Sequence, residues 1–440
     1  MMRDGFPTLW RNTNFVKLWL GQTISLVGSN ITLLAIPLAA VSQLHATPTQ
    51  MGILQMAQYL PFLLFGLLAG VWVDRLPRRP VLVVADLGRA AALAVIPLAA
   101  FNQWLSMELL YGVVFVIGIF NLLFEAAYAA FLPVVVPREQ VADGNSRLQT
   151  SAAAAEIAGP GLAGWLIQVA TAAFALLGDA LSFLGSAIVL MLMRVDEARP
   201  KTATLQRAIV PDLKAGLSAV LHNDYIRSLT FCSASANLFI NMHLAIYVLF
   251  LTRQVGLTPA QIGLLYSVAS VGGLLGAICA GPIARRIGLG RAFIAESIAV
   301  GLAATAIPLL ARMGPGAVPL LALVHGVWGF WLPIYIVNAA SLRQVLTPNH
   351  LLGRVTASSR FISWGAATFG FLIGGIVAEW IGLVPTLVIA GLGVLASSLW
   401  VIQSPIRSLH VMPTPHEAGH RPAAYDQALA DIPADPASVR

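Results

Sequence analysis

Apolar runs long enough to cross a lipid bilayer follow one another along nearly the whole chain, and no other feature narrows the possible folds as far. A hydrocarbon core about 30 Å thick takes roughly 20 apolar residues per helix. Twelve runs meet that length, over residues 15 to 42, 49 to 73, 81 to 101, 107 to 132, 148 to 170, 172 to 193, 226 to 252, 260 to 284, 291 to 312, 317 to 342, 355 to 380 and 384 to 403. With 58% hydrophobic and 10% charged residues and a mean hydropathy of +0.80, a water-soluble globule could not cover its own apolar surface. The expectation is an all-α membrane protein of twelve transmembrane helices.

Six runs fall in each half, and the halves match. Adding 211 to a residue number in the first half lands on a like residue in the second. Thr47, Pro48, Gln50, Gly52 and Leu54 recur as Thr258, Pro259, Gln261, Gly263 and Leu265, and Asn30, Gly159 and Gly164 recur as Asn241, Gly370 and Gly375. The stretch GLLAGVWVDRLPRRP, Gly66 to Pro80, returns as AICAGPIARRIGLGR, where Gly70 becomes Gly281 and Arg75 becomes Arg286 but Asp74 becomes Arg285. Two six-helix pseudo-repeats in parallel topology are a pattern of secondary transporters, with the substrate site expected between them. The expected organisation is a lead-in over 1 to 14, a first bundle over 15 to 193, a cytoplasmic linker with an interfacial helix over 194 to 225, a second bundle over 226 to 403 and a disordered tail over 404 to 440.

Net charge is +7, but its distribution follows the positive-inside rule rather than a nucleic-acid footprint. With a cytoplasmic N-terminus, only Arg253 and Arg312 of the 26 Lys and Arg lie at external ends of spans, so both termini are expected inside. Cys232 and Cys279 fall within spans, and no disulfide framework, metal site or cofactor is suggested. Motifs for hydrolysis or phosphate binding do not appear, so no enzyme activity is expected and energy would come from an ion gradient.

Ionisable groups inside the bilayer are functional candidates by default, because burying them is costly. Asp86 and Arg89 fall on the third run, Glu125 on the fourth, Glu156 on the fifth and Asp179 on the sixth. Counting 1.5 Å per residue puts Arg89, Glu125 and Glu156 roughly 12 to 14 Å deep and Asp86 at about 9 Å. Three carboxylates so placed can share one guanidinium. A structural ion pair accounts for one acid, while desolvation and a like charge favour the neutral form of another and suit it to carry a proton. Glu125, with Asn121 and Tyr128 at helical spacing, is the preferred proton carrier; a static clamp between Arg89 and Glu125 is the competing reading. Asp179 reads as a second proton site or as a protonated acid bonding a neighbouring helix. Polar groups that could wall a substrate cavity are Gln22, Ser25, Asn30, Asn121, Asn237, Asn241, His325, Trp331, Tyr335 and Asn338; such amide and aromatic groups suit a large, partly apolar ligand.

With twelve runs, a repeat and the Gly66 to Pro80 loop together, the chain resembles the major facilitator superfamily over roughly residues 10 to 405. That loop is similar to the superfamily's signature G-x-L-a-D-r-x-G-r-r, with Pro77 where a glycine is usual. The resemblance implies that Gly66, Gly70, Asp74, Arg75, Arg78 and Arg79 form a conformational latch with the start of helix 11, around Gly353 to Ser358. Gly159, Pro160 and Gly164 in AGPGLAG resemble the antiporter signature G-P-x-x-G-G of exporters. The stretches RNTNFVKLWLGQTISLVGSNI, LPVVVPREQVADGNS and TPNHLLGRV look most like the branch containing enterobactin exporters and macrolide efflux proteins, although the helix-4 arginine usual in drug antiporters is missing. What this implies is a monomeric exporter in a bacterial inner membrane, moving a siderophore or hydrophobic drug against protons by alternating access. Its partners would be a small molecule, protons and the lipid bilayer, with no nucleic acid. A lysophospholipid flippase of the same fold and a membrane sensor that moves nothing are the rival readings.

Overall fold

The structure, a computed structural model, describes residues 8–73, 75–195, 197 and 209–412. Asp74, most of the linker ahead of residue 209 and the tail from 413 onward lie outside the described residues.

Everything described is helical or connects helices. After a turn at Thr8–Arg11 come α1 (Thr13–Ser42), α2 (Pro48–Val73), α3 (Arg78–Phe101), α4 (Met107–Val135), α5 (Val141–Val169) and α6 (Ala172–Met191). A linker helix, Ile209–His222, precedes α7 (Asp224–Phe250), α8 (Pro259–Ile287), α9 (Leu289–Leu310), α10 (Val318–Leu346), α11 (Asn349–Ile381) and α12 (Leu383–Ser397). Among the described residues, ten helices are long and apolar enough to cross a membrane. The remaining two long ones, α2 and α5, run for 26 and 29 residues beside them.

Short polar residues set the starts of the helices. Asn12, Ser106, Thr171 and Asn223 accept hydrogen bonds from backbone N–H groups of the first turns of α1, α4, α6 and α7, which would otherwise lack partners. The repeat is visible at this level. Thr47 and Gln50 bond reciprocally at 2.9 and 3.3 Å, and Thr258 and Gln261 do so at the same distances at the head of α8. The halves differ where α8 meets α9: Gly288 takes φ +93°, whereas Pro77, 211 residues earlier, sits at −59°.

The first and last described residues and the described part of the linker share one face, the linker face. There Asn14 donates to the Arg194 carbonyl at 2.9 Å and Lys17 to the Leu192 carbonyl at 2.8 Å. The Arg79 guanidinium donates to the Leu190 and Met191 carbonyls at the end of α6, while the backbone N–H groups of Arg78 and Arg79 are capped by Glu197 at 2.6 and 2.8 Å. An acid at the head of α3 and a cation at the tail of α6 both complement the helix dipoles.

Residues 404 to 412 depart from the expected disordered tail. Ser404 caps a turn at Pro405–Ser408, Ile406 is buried, and the Leu409 carbonyl accepts from Gly290 N–H at 2.9 Å. Ile406, Leu409 and Met412 carry enough apolar surface to dock on α9, a local pattern hidden by the Pro- and Ala-rich composition that follows. The linker helix packs Gly216 against the Arg354 carbonyl and Ser358 of α11, with Ala219 and Val220 buried and Leu217 exposed. It is braced on the bundle as much as on any surface; the side chains of Ile209 and Leu213 lie outside the described residues.

The bundles meet along two seams, α2 with α11 and α5 with α8. At the first, Gly52 lies against the Phe371 carbonyl and Gly375, and Gly375 against the Pro48 carbonyl. At the second, Gly263 lies against the Pro160 carbonyl and Gly164, and Gly164 against the Pro259 carbonyl. Each contact maps onto the other by adding or subtracting 211. Even the flanking bonds correspond: Thr49 N–H to Glu379 Oε2 at 3.1 Å, and Ala260 N–H to Gln168 Oε1 at 3.3 Å. Only glycine lets backbones approach this closely, since a Cβ at any of the four positions would run into the facing main chain.

Candidate functional site

Both seams lie at the face opposite the linker, and α2 and α11 part as they run from it. Tyr59 stacks on Phe371 at 5.1 Å and Phe62 meets Trp364 edge-on at 5.3 Å. Further toward the linker face, Gly66 of α2 and Gly353 of α11 have open space around them. The gap is a cavity of about 710 Å³ walled by α2, α4 and α11. Its lining is mostly apolar, with Phe62, Leu63, Leu122, Phe361 and Trp364 prominent, and its charged side chains are Glu125 from α4 and Arg360 from α11. Both are exposed, and neither makes an ion pair among the described residues.

Inside the first bundle, Arg89 of α3 is buried and forms an ion pair with Asp86 one turn before it. Its guanidinium also donates to Asn121 Oδ1 at 3.2 Å and lies over the rings of Phe124 and Phe183, 4.1 and 4.3 Å from their centroids. Burial of a charge is tolerated because an acid, an amide and two aromatic faces replace its water. Asp179 of α6, fully buried, accepts from Thr32 of α1 at 2.5 Å and from Ser182 at 2.8 Å. Gly28 of α1 makes room for it, since a Cβ there would strike the carboxylate. A second, smaller cavity of about 200 Å³ adjoins it, lined by polar Ser29, Asn30, Thr32, Gln58, Asn121 and Asp179.

The second bundle holds a different buried set. Tyr247 hydrogen-bonds His325, whose other ring nitrogen meets the Leu321 carbonyl at 2.6 Å, and His243 packs on Tyr247 and Trp328 with centroids 5.2 and 5.1 Å apart. Nearer the linker face, buried Glu296 of α9 accepts from Ser297 at 3.1 Å and has no cation paired with it among the described residues.

The expected site residues thus separate. Asp86 and Arg89 are together, Asn121 joins them, and Asp179 shares the lining of the small polar cavity with Asn121. Glu125 faces the large cavity and Glu156 is exposed on α5, so one guanidinium is not directly shared by three acids; the partner of Arg89 is the acid on its own helix, one turn away. None of the ten residues read as cavity walls lines the large cavity, and Asn30 and Asn121 line the small one. Asn30, Asn237 and Asn241 each donate to the carbonyl four residues earlier on their own helix. Tyr335 donates to the Leu229 carbonyl at 2.8 Å, Asn338 to the Ala280 and Ile334 carbonyls, Trp331 packs edge-on to Phe330, Ser25 is buried and Gln22 half-buried. Gly159 packs on the Asn30 side chain, while Pro160 and Gly164 belong to the α5–α8 seam. Of the latch, Gly66 borders the large cavity, Arg75 and Arg78 are at the linker face, Arg79 holds the end of α6, and Asp74 lies outside the described residues. Two residues were overlooked, Arg360 and Glu296. Both are charges inside apolar runs, the same signal that singled out Glu125.

The model of the Major Facilitator Superfamily matches residues 18–368, and the chain belongs to that family. It is 28% identical over 389 residues to the uncharacterized MFS-type transporter YfiS of Bacillus subtilis (strain 168), covering 87% of this chain and 91% of that one. The multidrug efflux pump Tap of Mycolicibacterium fortuitum is 26% identical, over 81% of this chain and 87% of its own. Macrolide efflux protein A of Streptococcus pyogenes is 24% identical, over 84% and 90%. Among solved structures, a mutant of the nucleoside transporter NupG superposes with a TM-score of 0.71 at 12% identity, over 89% of this chain and 99% of that one. The chain is a multi-pass membrane transporter of this family, with efflux pumps among its relatives, and not an enzyme.

Proposed function

We propose that the protein is a proton-driven exporter of a hydrophobic small molecule, a drug or a siderophore, working by alternating access between two six-helix repeats. All twelve long helices cross the membrane in this reading, the bundles span residues 15 to 193 and 226 to 403, and the protein acts as a monomer. The linker face is cytoplasmic, in keeping with the basic residues gathered there. The observation that carries the proposal is the contrast along α2 and α11: interlocked backbones at one end, a cavity of about 710 Å³ at the other. That contrast supports reading this conformation as a carrier open to the cytoplasm. Rocking about the seams would close the gap between Gly66 and the start of α11, the task assigned to Asp74 and its arginines. The kinship with efflux pumps supports the outward direction.

Glu125 is the proposed site of proton exchange, because it is the acid in the large cavity, where a cation on the cargo would compete with a proton. Asp179 and the Asp86–Arg89 pair are proposed to relay or balance that charge across the small polar cavity. The test is substrate-induced proton movement in proteoliposomes carrying a pH dye, screened with siderophores, macrolides and dyes. A flux that appears with one cargo and is lost in Glu125→Gln supports antiport. Cargo movement with no proton flux would refute it, and lipid scrambling without a pH gradient would favour the flippase.

A further inference from the structure

We propose that the large cavity selects zwitterionic amphiphiles, taking a cationic group at Glu125, an anionic group at Arg360 and an apolar body on Phe62, Phe361 and Trp364. The inference rests on the cavity being the cargo site and names the class of cargo it fits.

The α4 wall brings an acid and the α11 wall a guanidinium, so the two charges come from different bundles. They stand in the same gap, close enough to feel one another's field, yet no ion pair joins them. An acid and a guanidinium left apart in a largely apolar gap are poorly satisfied. A ligand carrying both signs satisfies each without bringing in a net charge. A purely cationic ligand would meet Glu125 favourably but Arg360 unfavourably, and an anion the reverse. The guanidinium favours a planar or tetrahedral oxyanion such as a carboxylate or phosphate, which it can grip with two N–H donors. The remaining lining is largely aromatic and aliphatic, with Phe62, Phe361 and Trp364 among it. Such faces suit both an apolar body and, beside Glu125, a quaternary or protonated amine.

The repeat sharpens the point. Adding 211 to Glu125 gives Ile336, and subtracting it from Arg360 gives Gln149, so neither charge has a counterpart in the other half. The seam glycines and the Thr–Gln pairs at Thr47 and Thr258 recur in both halves; these two charges do not. Dipolar chemistry of this kind has two natural sources, a lysolipid headgroup or a free zwitterionic drug.

The experiment is equilibrium binding to the full chain in nanodiscs of fixed lipid composition. The probes are labelled lysophosphatidylcholine, lysophosphatidylglycerol, a zwitterionic fluoroquinolone and tetraphenylphosphonium. A zwitterion should bind tightest, the lysolipid or the fluoroquinolone according to the source. Glu125→Gln should weaken it about tenfold and shift preference to the anionic lysolipid, while Arg360→Gln should weaken it similarly and shift preference to the cation. The exchange Glu125→Arg with Arg360→Glu should restore the zwitterion. An affinity ranking that neither single substitution alters overturns the proposal, as does tightest binding by a singly charged probe. If one variant does not fold, the other lies on a different helix and bundle and carries the same test. Charge-dependent binding without proton-linked transport would instead retire the exporter reading and leave this one standing.

Discussion

The two ends of the bundle interface are built on different terms. At the end opposite the linker, the glycine contacts between the halves are made twice, Gly52 on Gly375 and Gly263 on Gly164, with a capping Thr and Gln beside each. At the linker end the walls share no such symmetry: an acid faces a guanidinium across an aromatic-lined gap. The repeated features are the ones on which the proposed rocking of the two halves depends. Divergence filled the space between them with chemistry that only one half supplies. The buried polar sets inside the bundles follow the second rule, for Asp86 and Arg89 correspond to Ser297 and Val300.

The comparison predicts that seam substitutions come in matched pairs. Gly52→Leu and Gly263→Leu should each abolish transport, because a side chain would have to enter the space of a facing backbone. Gly66→Leu, in open space in this conformation, should leave the fold intact and act only on closure. Unequal loss at the two seams, measured in the same uptake assay, would break the pseudo-symmetry.

Unrepeated features should show the opposite, unequal pairs. Asp86→Ala leaves the Arg89 guanidinium buried without its acid, and removing one partner of a buried pair costs about 3–5 kcal/mol. At the corresponding position, Ser297→Ala removes a hydroxyl bonded to the neighbouring Glu296 carboxylate, for a loss of about 1–2 kcal/mol. Thermal unfolding in detergent would rank them. The smallest effects are at the caps: Thr47→Ala and Thr258→Ala should each cost about 1 kcal/mol, equal within error. A large difference there would mean that the two halves hold their helices differently despite the shared bonds.

Much of this was legible in the sequence, for reasons that differ residue by residue. Because a bilayer admits few alternatives, the helices lie where length and apolarity put them, although α5 and α11 begin seven and six residues earlier than their apolar runs. The offset of 211 pointed to the seam glycines, since only close backbone crossings demand the same small residue in both halves. Rotation about a helix was not readable. Counting placed Glu125 and Arg89 at one level, yet Glu125 turns to the gap between the bundles and Arg89 to the interior of the first. Polar residues on α1, α7 and α10 suggested a cavity wall; Asn30, Asn237, Asn241 and Asn338 instead spend donors on their own helix, a local option that a sequence does not distinguish from a ligand contact. Arg360 and Glu296 were readable by the rule applied to Glu125, and Ile406 shows that a short apolar patch can anchor a segment whose composition reads as loop.

The central claim is that the halves rock about the duplicated seams, so that one end opens as the other closes. Paired spin-label distances test it most directly, with one pair at Leu76 and Asn349 on the linker face and another at Asn102 and Met313 on the opposite face, all exposed positions. Cargo with a pH gradient should shorten the first distance and lengthen the second together. Distances that move in the same direction, or a linker-face distance that stays fixed while cargo is transported, would contradict it.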